Sequence, residues 1–270
     1  MIDVWNVETF DPALRNELDA HGDLLRDYLE TSRRQSRERE ASTRLIAYPE
    51  NAHAGAYLDL KERLLPVMEA RTIRGWHYTR MTDAEVDSLA WNGVHLSTLE
   101  TMRSRLAAQV AAGVITQEIA DRLFSNSPFQ GDQRAARTGK LWMVSHPVDP
   151  KSSGVKPLLE SWGGESVYFW QQDPGLQTLL TSIGRPRVLE IAMPLAHSCH
   201  GYRAAEAVIA AYARMLGCRP DGGGSFDFYS HTALGPEAIL AVHSGGDESF
   251  LRLARGYPAD YIVVEPDGDL

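Results

Sequence analysis

At 270 residues, 43% of them hydrophobic and 23% charged, the chain is long enough to bury a sizeable core without disulfide or metal staples. Its two cysteines, Cys199 and Cys218, are too few for a disulfide framework, and no apolar run approaches the ~20 residues that span a bilayer. The formal net charge of −9 runs against a general nucleic-acid coating protein, which needs excess Lys and Arg to displace counterions.

Met1-Ile-Asp-Val-Trp-Asn has neither a basic n-region nor an apolar h-region, so the expected location is the cytoplasm, with no membrane partner. Residues 1–70 read as a helical accessory segment. Leu14, Leu18, Leu24, Leu25, Tyr28 and Leu29 recur at helical spacing, and Tyr57, Leu60, Leu64 and Leu65 do so again before Pro66. Between them Arg33, Arg34, Arg37 and Arg39 form a basic run, expected to be a solvated helix face.

From residue 71 to 270 a second domain is expected, with short strands and helices mixed. Ile73 to Thr79 reads as a strand. Thr82 and Glu85 form a capping box that opens a helix closed by Asn92-Gly93. Val94 to Leu96 is a short strand, and Ser97 with Glu100 predicts a second box. Helices then run to about Phe124. Ser125 to Gly139 reads as a long loop carrying a second basic group, Arg134, Arg137 and Lys140; loops of that length are commonly lids or binding loops. Leu141 to Ser145 and Ser166 to Trp170 read as strands. Asp173-Pro174 caps a helix that stops at Gly184, and Arg187 to Leu195 alternates as a strand. Ala204 to Leu216 is helical, and Gly222-Gly223-Gly224 is a loop. Phe226 to Tyr229, Ile239 to His243 and Tyr261 to Val264 are further strands. The order lacks the βαβαβ rhythm and the GxGxxG of a dinucleotide-binding Rossmann domain, and it has no P-loop.

Three pieces carry chemistry-bearing residues in order: Gly75-Trp-His77-Tyr-Thr-Arg80, Gly163-Gly-Glu-Ser-Val-Tyr168-Phe-Trp, and Ser225-Phe-Asp227-Phe-Tyr229. The pattern resembles the His-Tyr-acid branch of the ADP-ribosyltransferase superfamily, which includes poly-ADP-ribose polymerases, diphtheria-toxin-like toxins and rifamycin ADP-ribosyltransferases. In that family a His-Gly-Thr strand, a Gly-Ile-Tyr-Phe strand and a later acid-bearing strand line one NAD⁺ cleft. The resemblance covers about residues 72–245. It implies an α+β fold with split antiparallel or mixed sheets, helical insertions and NAD⁺ as substrate. It further implies mono-ADP-ribosylation of a protein, nucleic acid or small molecule, with a toxin's cognate antitoxin or regulator as a partner.

By the resemblance, His77 binds the adenosine ribose, the backbone of Tyr78 holds the nicotinamide amide and Tyr168 stacks on the nicotinamide ring. Thr79 and Arg80 complete the cofactor-binding segment. Asp227 sits beside the nicotinamide ribose. Loss of nicotinamide leaves an oxocarbenium-like sugar, so a carboxylate there stabilises the transition state more than the ground state. Tyr78 departs from the family's Gly and Asp227 from its Glu, although aspartate has precedent in the rifamycin-modifying group. Asp260, in Asp-Tyr-Ile-Val-Val, and Glu190 are the rival acids. NAD⁺ hydrolysis, a non-catalytic NAD-binding module and a plain interaction protein are the competing readings. His197, Cys199, His200 and Cys218 match no standard zinc spacing, so no metal is expected.

Overall fold

The computed structural model describes residues 1–41, 49–131, 134–220 and 224–255. The elements begin with α1 (Pro12–Asp19), α2 (Gly22–Ala41), α3 (Ala54–Glu69) and β1 (Thr72–Met81). Next come α4 (Asp83–Asn92), α5 (Leu99–Ala111), α6 (Gln117–Ser125), α7 (Arg134–Arg137) and β2 (Leu141–Val144). Then follow α8 (Lys156–Glu160), α9 (Glu165–Tyr168), α10 (Pro174–Ser182) and β3 (Arg185–Pro194). The last are α11 (Gly201–Met215), β4 (Asp227–Ser230), β5 (Ile239–Ser244) and α12 (Glu248–Leu251). No described helix is long and apolar enough to cross a membrane.

The described chain divides into two compact units, one made of Met1–Arg74 with Pro194–Phe226, the other of Gly75–Met193 with residues 227–255. In the first, the N-terminal helices share a core with α11. Leu14, Leu18, Leu25, Leu60, Leu64 and Met68 are buried, as are Val208, Ile209 and a run of α11 alanines. Those small side chains allow α11 to lie close on α3; a β-carbon on Gly201 would meet Glu69 Cγ at 2.7 Å. Asp11 caps α1 through the Leu14 N–H and accepts two hydrogen bonds from Arg71, at 2.7 and 2.8 Å. The Arg71 guanidinium holds the Asp11 carboxyl at about 2. Beyond Leu29 no residue of α2 is buried, and Arg33, Arg34, Arg37 and Arg39 are exposed, as a solvated helix face requires.

The second unit carries most of a single five-stranded sheet, order β4-β2-β1-β3-β5, where split sheets were expected. The α+β class stands. β2 pairs antiparallel with both β1 and β4, and β3 with β5. Helices α5, α6, α9 and α10 pack beside the sheet around Met102, Leu106, Leu123, Trp162, Val167 and Leu180.

Glu85 sits at the centre of this helical layer. It closes the capping box with Thr82, accepts the Trp162 indole N–H at 2.9 Å and pairs with Arg105. The second box falls one residue later than the sequence predicts, on Thr98 and Thr101. Ser97 is instead drawn into an isolated bridge, its N–H donating to the Lys140 carbonyl. Ser166 to Trp170, predicted as a strand, instead begins with helix α9. Gly163 and Gly164, at φ 90° and 64°, turn the chain sharply, and the Val167 and Tyr168 N–H groups bond back to the Gly164 carbonyl. A β-carbon on Gly163 would lie 2.4 Å from Val167 Cγ2, so this turn is specific to glycine. The predicted loop from Ser125 to Gly139 holds the short helix α7 and is tied to α9 by the Ser127 hydroxyl on the Ser166 carbonyl and by the Arg137–Glu165 ion pair. The strand predicted over Tyr261 to Val264 and most of the Gly222-Gly223-Gly224 loop lie outside the described residues.

Gly93 ends α4 at φ 66°, and a β-carbon there would sit 2.0 Å from the Leu234 carbonyl oxygen, whose partner is the Val94 N–H. Thr82→Ala removes one cap and is expected to cost about 1 kcal/mol in urea unfolding. Gly93→Ala is expected to cost more, because strain and clash add to a broken bridge. Equal midpoints for the two variants contradict this assignment.

Candidate active site

His77 stands in β1, next to the residue that sets the β1–β2 register, Trp76 opposite Val144. Its Nδ1 lies 2.7 Å from the Trp142 carbonyl oxygen of β2. A carbonyl only accepts, so Nδ1 carries the proton and, in the neutral ring, Nε2 carries the lone pair. Desolvation pushes the His77 pKa below the ordinary 6.5, and the positive charge of Arg105 adds to it against the opposing pull of the Trp142 carbonyl. The result is a neutral imidazole of defined tautomer with one nitrogen available as an acceptor.

Asp227 opens β4 directly across from Val144, so one row runs Trp76–Val144–Asp227 across three adjacent strands. Two inter-strand spacings, roughly 10 Å, separate the backbones of Trp76 and Asp227. Asp227 is exposed, yet the surrounding protein shields its carboxylate enough to raise its pKa above the ordinary 3.8. β2 lies between the histidine strand and the acid strand.

Alternation on β2 separates two kinds of surface. Leu141 and Met143 are buried, together with Phe228 and Ser230 of β4. Trp142 is 41% exposed and meets Tyr229 edge-on, with ring centroids 4.5 Å apart. Over β1 the face shared with Asp227 is closed, since Trp76 and Tyr78 are both buried.

The remaining predicted residues of the β1 segment have structural partners. The Tyr78 hydroxyl donates to the Val148 carbonyl at 2.7 Å and accepts from the Val148 N–H. Thr79 is buried. Arg80 donates to the carbonyls of Ile183, Gly184 and Leu159, tying β1 to α8 and to the turn before β3; its charge is thus spent on backbone. Tyr168 is not on a strand. It lies at the end of α9, packed against the α5–α6–α10 cluster, and burial raises its hydroxyl pKa while Arg137 pulls it down. The sheet therefore puts His77 and Asp227 on strands separated by β2, with their side chains on opposite faces, whereas Tyr168 belongs to the helical layer.

Glu190, on β3, accepts from His243 Nε2 of β5 at 2.8 Å. Asp260 lies outside the described residues. In the first unit, His200 Nδ1 is 2.8 Å from the Ser198 hydroxyl, and burial raises the Cys218 thiol. Among the described residues no group of three or more His, Cys, Asp or Glu side chains is placed to hold a metal. Sequence reasoning missed Trp142 and Arg105. The signal for the first was present, because an aromatic residue between Leu141 and Met143 on a strand must point away from the core. For the second there was none, because Arg105 reaches the neighbourhood of His77 from a helix.

Comparison of the chain with family models, with curated proteins and with solved structures gives no match.

The His77 geometry has a spectroscopic consequence. In ¹⁵N-resolved spectra at neutral pH its ring is expected to be neutral with the proton on Nδ1, and its titration midpoint is expected below 6.5. A ring that titrates at or above 6.5, or carries its proton on Nε2, contradicts the arrangement.

Proposed function

We propose that the chain is an NAD⁺-dependent ADP-ribosyltransferase in which His77 holds a ribose of the dinucleotide and Asp227 stabilises the charge that develops as nicotinamide leaves. The observation that carries the reading is the adjacency β4-β2-β1. It puts a neutral histidine and a carboxylate of raised pKa on strands separated only by β2. Asp227 shares a face with Val144 and Trp76, whereas His77 stands on the other with Gly75 and Met143, so the dinucleotide reaches both around the Val144 end of β2.

Each group suits its part. His77 Nε2 accepts from a ribose hydroxyl without the cost of displacing a proton. The bond between ribose C1′ and the nicotinamide nitrogen breaks with its electron pair going to the ring, which leaves as neutral nicotinamide. The sugar becomes oxocarbenium-like, and a nearby carboxylate in partly dry surroundings offsets that charge more strongly than it would in water. The acceptor then forms the new bond to C1′ and loses its proton. Glu190 is the weaker acid for this work because its carboxylate already accepts from His243. In this reading Tyr168 has no place on the sheet.

Nicotinamide release from NAD⁺ by the purified chain tests the reading. His77→Ala and Asp227→Ala are each expected to lower the rate on the order of 100-fold or more with the fold retained, whereas Glu190→Gln is expected to stay close to the original. Asp227 must be ionised to act and its pKa is raised. Activity is therefore expected to fall on acidification, with the limb centred above 3.8 and absent in residual Asp227→Asn turnover. Release that survives Asp227→Ala unchanged assigns the chemistry to another acid.

A further inference from the structure

The strip of sheet beside Asp227 has features that cleavage of NAD⁺ does not use. Lys140 stands just before β2, and its ammonium lies 4.6 Å from the centre of the Tyr229 ring and 5.7 Å from that of Trp142. It is anchored by donating to the Ala136 carbonyl at 2.8 Å. His231 also meets Tyr229, with ring centroids 4.8 Å apart and nearly perpendicular planes. Trp142 and Tyr229 are opposite one another in the β2–β4 ladder, so they share the face on which Asp227 and Val144 stand one step along. The sequence had marked Arg134, Arg137 and Lys140 as a basic group. The structure divides them: Arg137 is paired with Glu165 and covers Phe169, while Arg134 is exposed on α7 and Lys140 lies over the Tyr229 and Trp142 rings.

We infer that this shelf of Trp142 and Tyr229, flanked by Lys140, binds single-stranded nucleic acid by stacking an unpaired base and pairing its phosphate with the lysine. An exposed indole with a lysine over it, on the face that carries Asp227 and beside the Tyr229–His231 pair, is too polar at its margin for an apolar protein surface, and it is the size of one flat ring. Base stacking on aromatic side chains tolerates any base but needs it out of a duplex. The overall charge of −9 confines the attraction to this strip, so binding is local and modest. Because the shelf lies on the Asp227 face, the bound base is also the acceptor for ADP-ribose; that second step rests on the proposed function, whereas binding does not.

Fluorescence anisotropy of a labelled single strand of ~12 nucleotides, without NAD⁺, tests the binding. The chain is expected to bind it, to bind the matching duplex more weakly, and to lose about 5- to 100-fold in affinity on Trp142→Ala. Lys140→Gln, at a half-exposed position, is expected to weaken binding and to flatten the salt dependence by roughly 0.7 in log–log slope, one phosphate's worth; Glu190→Gln is expected to change neither. Absence of single-strand binding, equal binding of duplex, or an unaltered salt slope in Lys140→Gln overturns the inference. With labelled NAD⁺ added, label on the strand supports the acceptor role. Nicotinamide release with no single-strand binding overturns this inference while leaving the proposed function standing. Single-strand binding with no nicotinamide release supports the shelf and overturns the proposed function.

Discussion

Strand β2 is only four residues long, yet the arrangement of the second unit follows from how it is paired. Both of its edges are occupied, by β1 through the Trp76–Val144 register and by β4 through four consecutive pairs from Leu141–Ser230 to Val144–Asp227. A slip of one residue in either ladder would turn Leu141 and Met143 out and Trp142 in, exchanging a dry face for an aromatic one. The two buried side chains hold the register, and with it the place of Asp227 relative to the histidine strand. The same strand supplies the Trp142 carbonyl that fixes the tautomer of His77. Core packing and candidate chemistry thus share one short ladder.

Electrostatics in the helical layer work the same way. Glu85 accepts from a backbone N–H, an indole N–H and a guanidinium, so its charge is satisfied several times over and holds α4, α5 and Trp162 in fixed relation. Desolvation is the main reason the His77 imidazole is neutral, and Arg105, oriented by that carboxylate, adds its positive charge in the same direction. Arg80 does comparable work with three backbone carbonyls. These residues shape the site without standing in it.

Much of the fold was legible in the sequence where a local rule decides the outcome. The Thr82–Glu85 box, the Asp173 cap of α10 and the strands around residues 73–79, 141–145, 187–195, 227–229 and 239–243 follow from capping chemistry and alternation, and the structure has them. The errors come from places where tertiary contact overrides local preference. Val-Tyr-Phe-Trp has the composition of a strand, but the two left-handed glycines before it leave the chain no extended route, and Tyr168 went with it. Ser97 has the chemistry of a cap, but it pairs in a bridge with Lys140, far along the chain, and the cap falls to Thr98. Among the site residues, His77 and Asp227 were visible because they stand on strands with plain alternation. Arg80 looked like a ligand-binding cation because its carbonyl partners, beyond residue 150, leave no mark near it in the chain.

The central claim is that one dinucleotide spans β1, β2 and β4. A crystal structure of the Asp227→Asn chain with NAD⁺ tests it most directly. The account expects a ribose hydroxyl within hydrogen-bonding distance of His77 Nε2 and the nicotinamide ribose beside residue 227, with the ligand passing the Val144 end of β2. A dinucleotide bound elsewhere, or one that reaches the histidine while leaving β4 untouched, contradicts it.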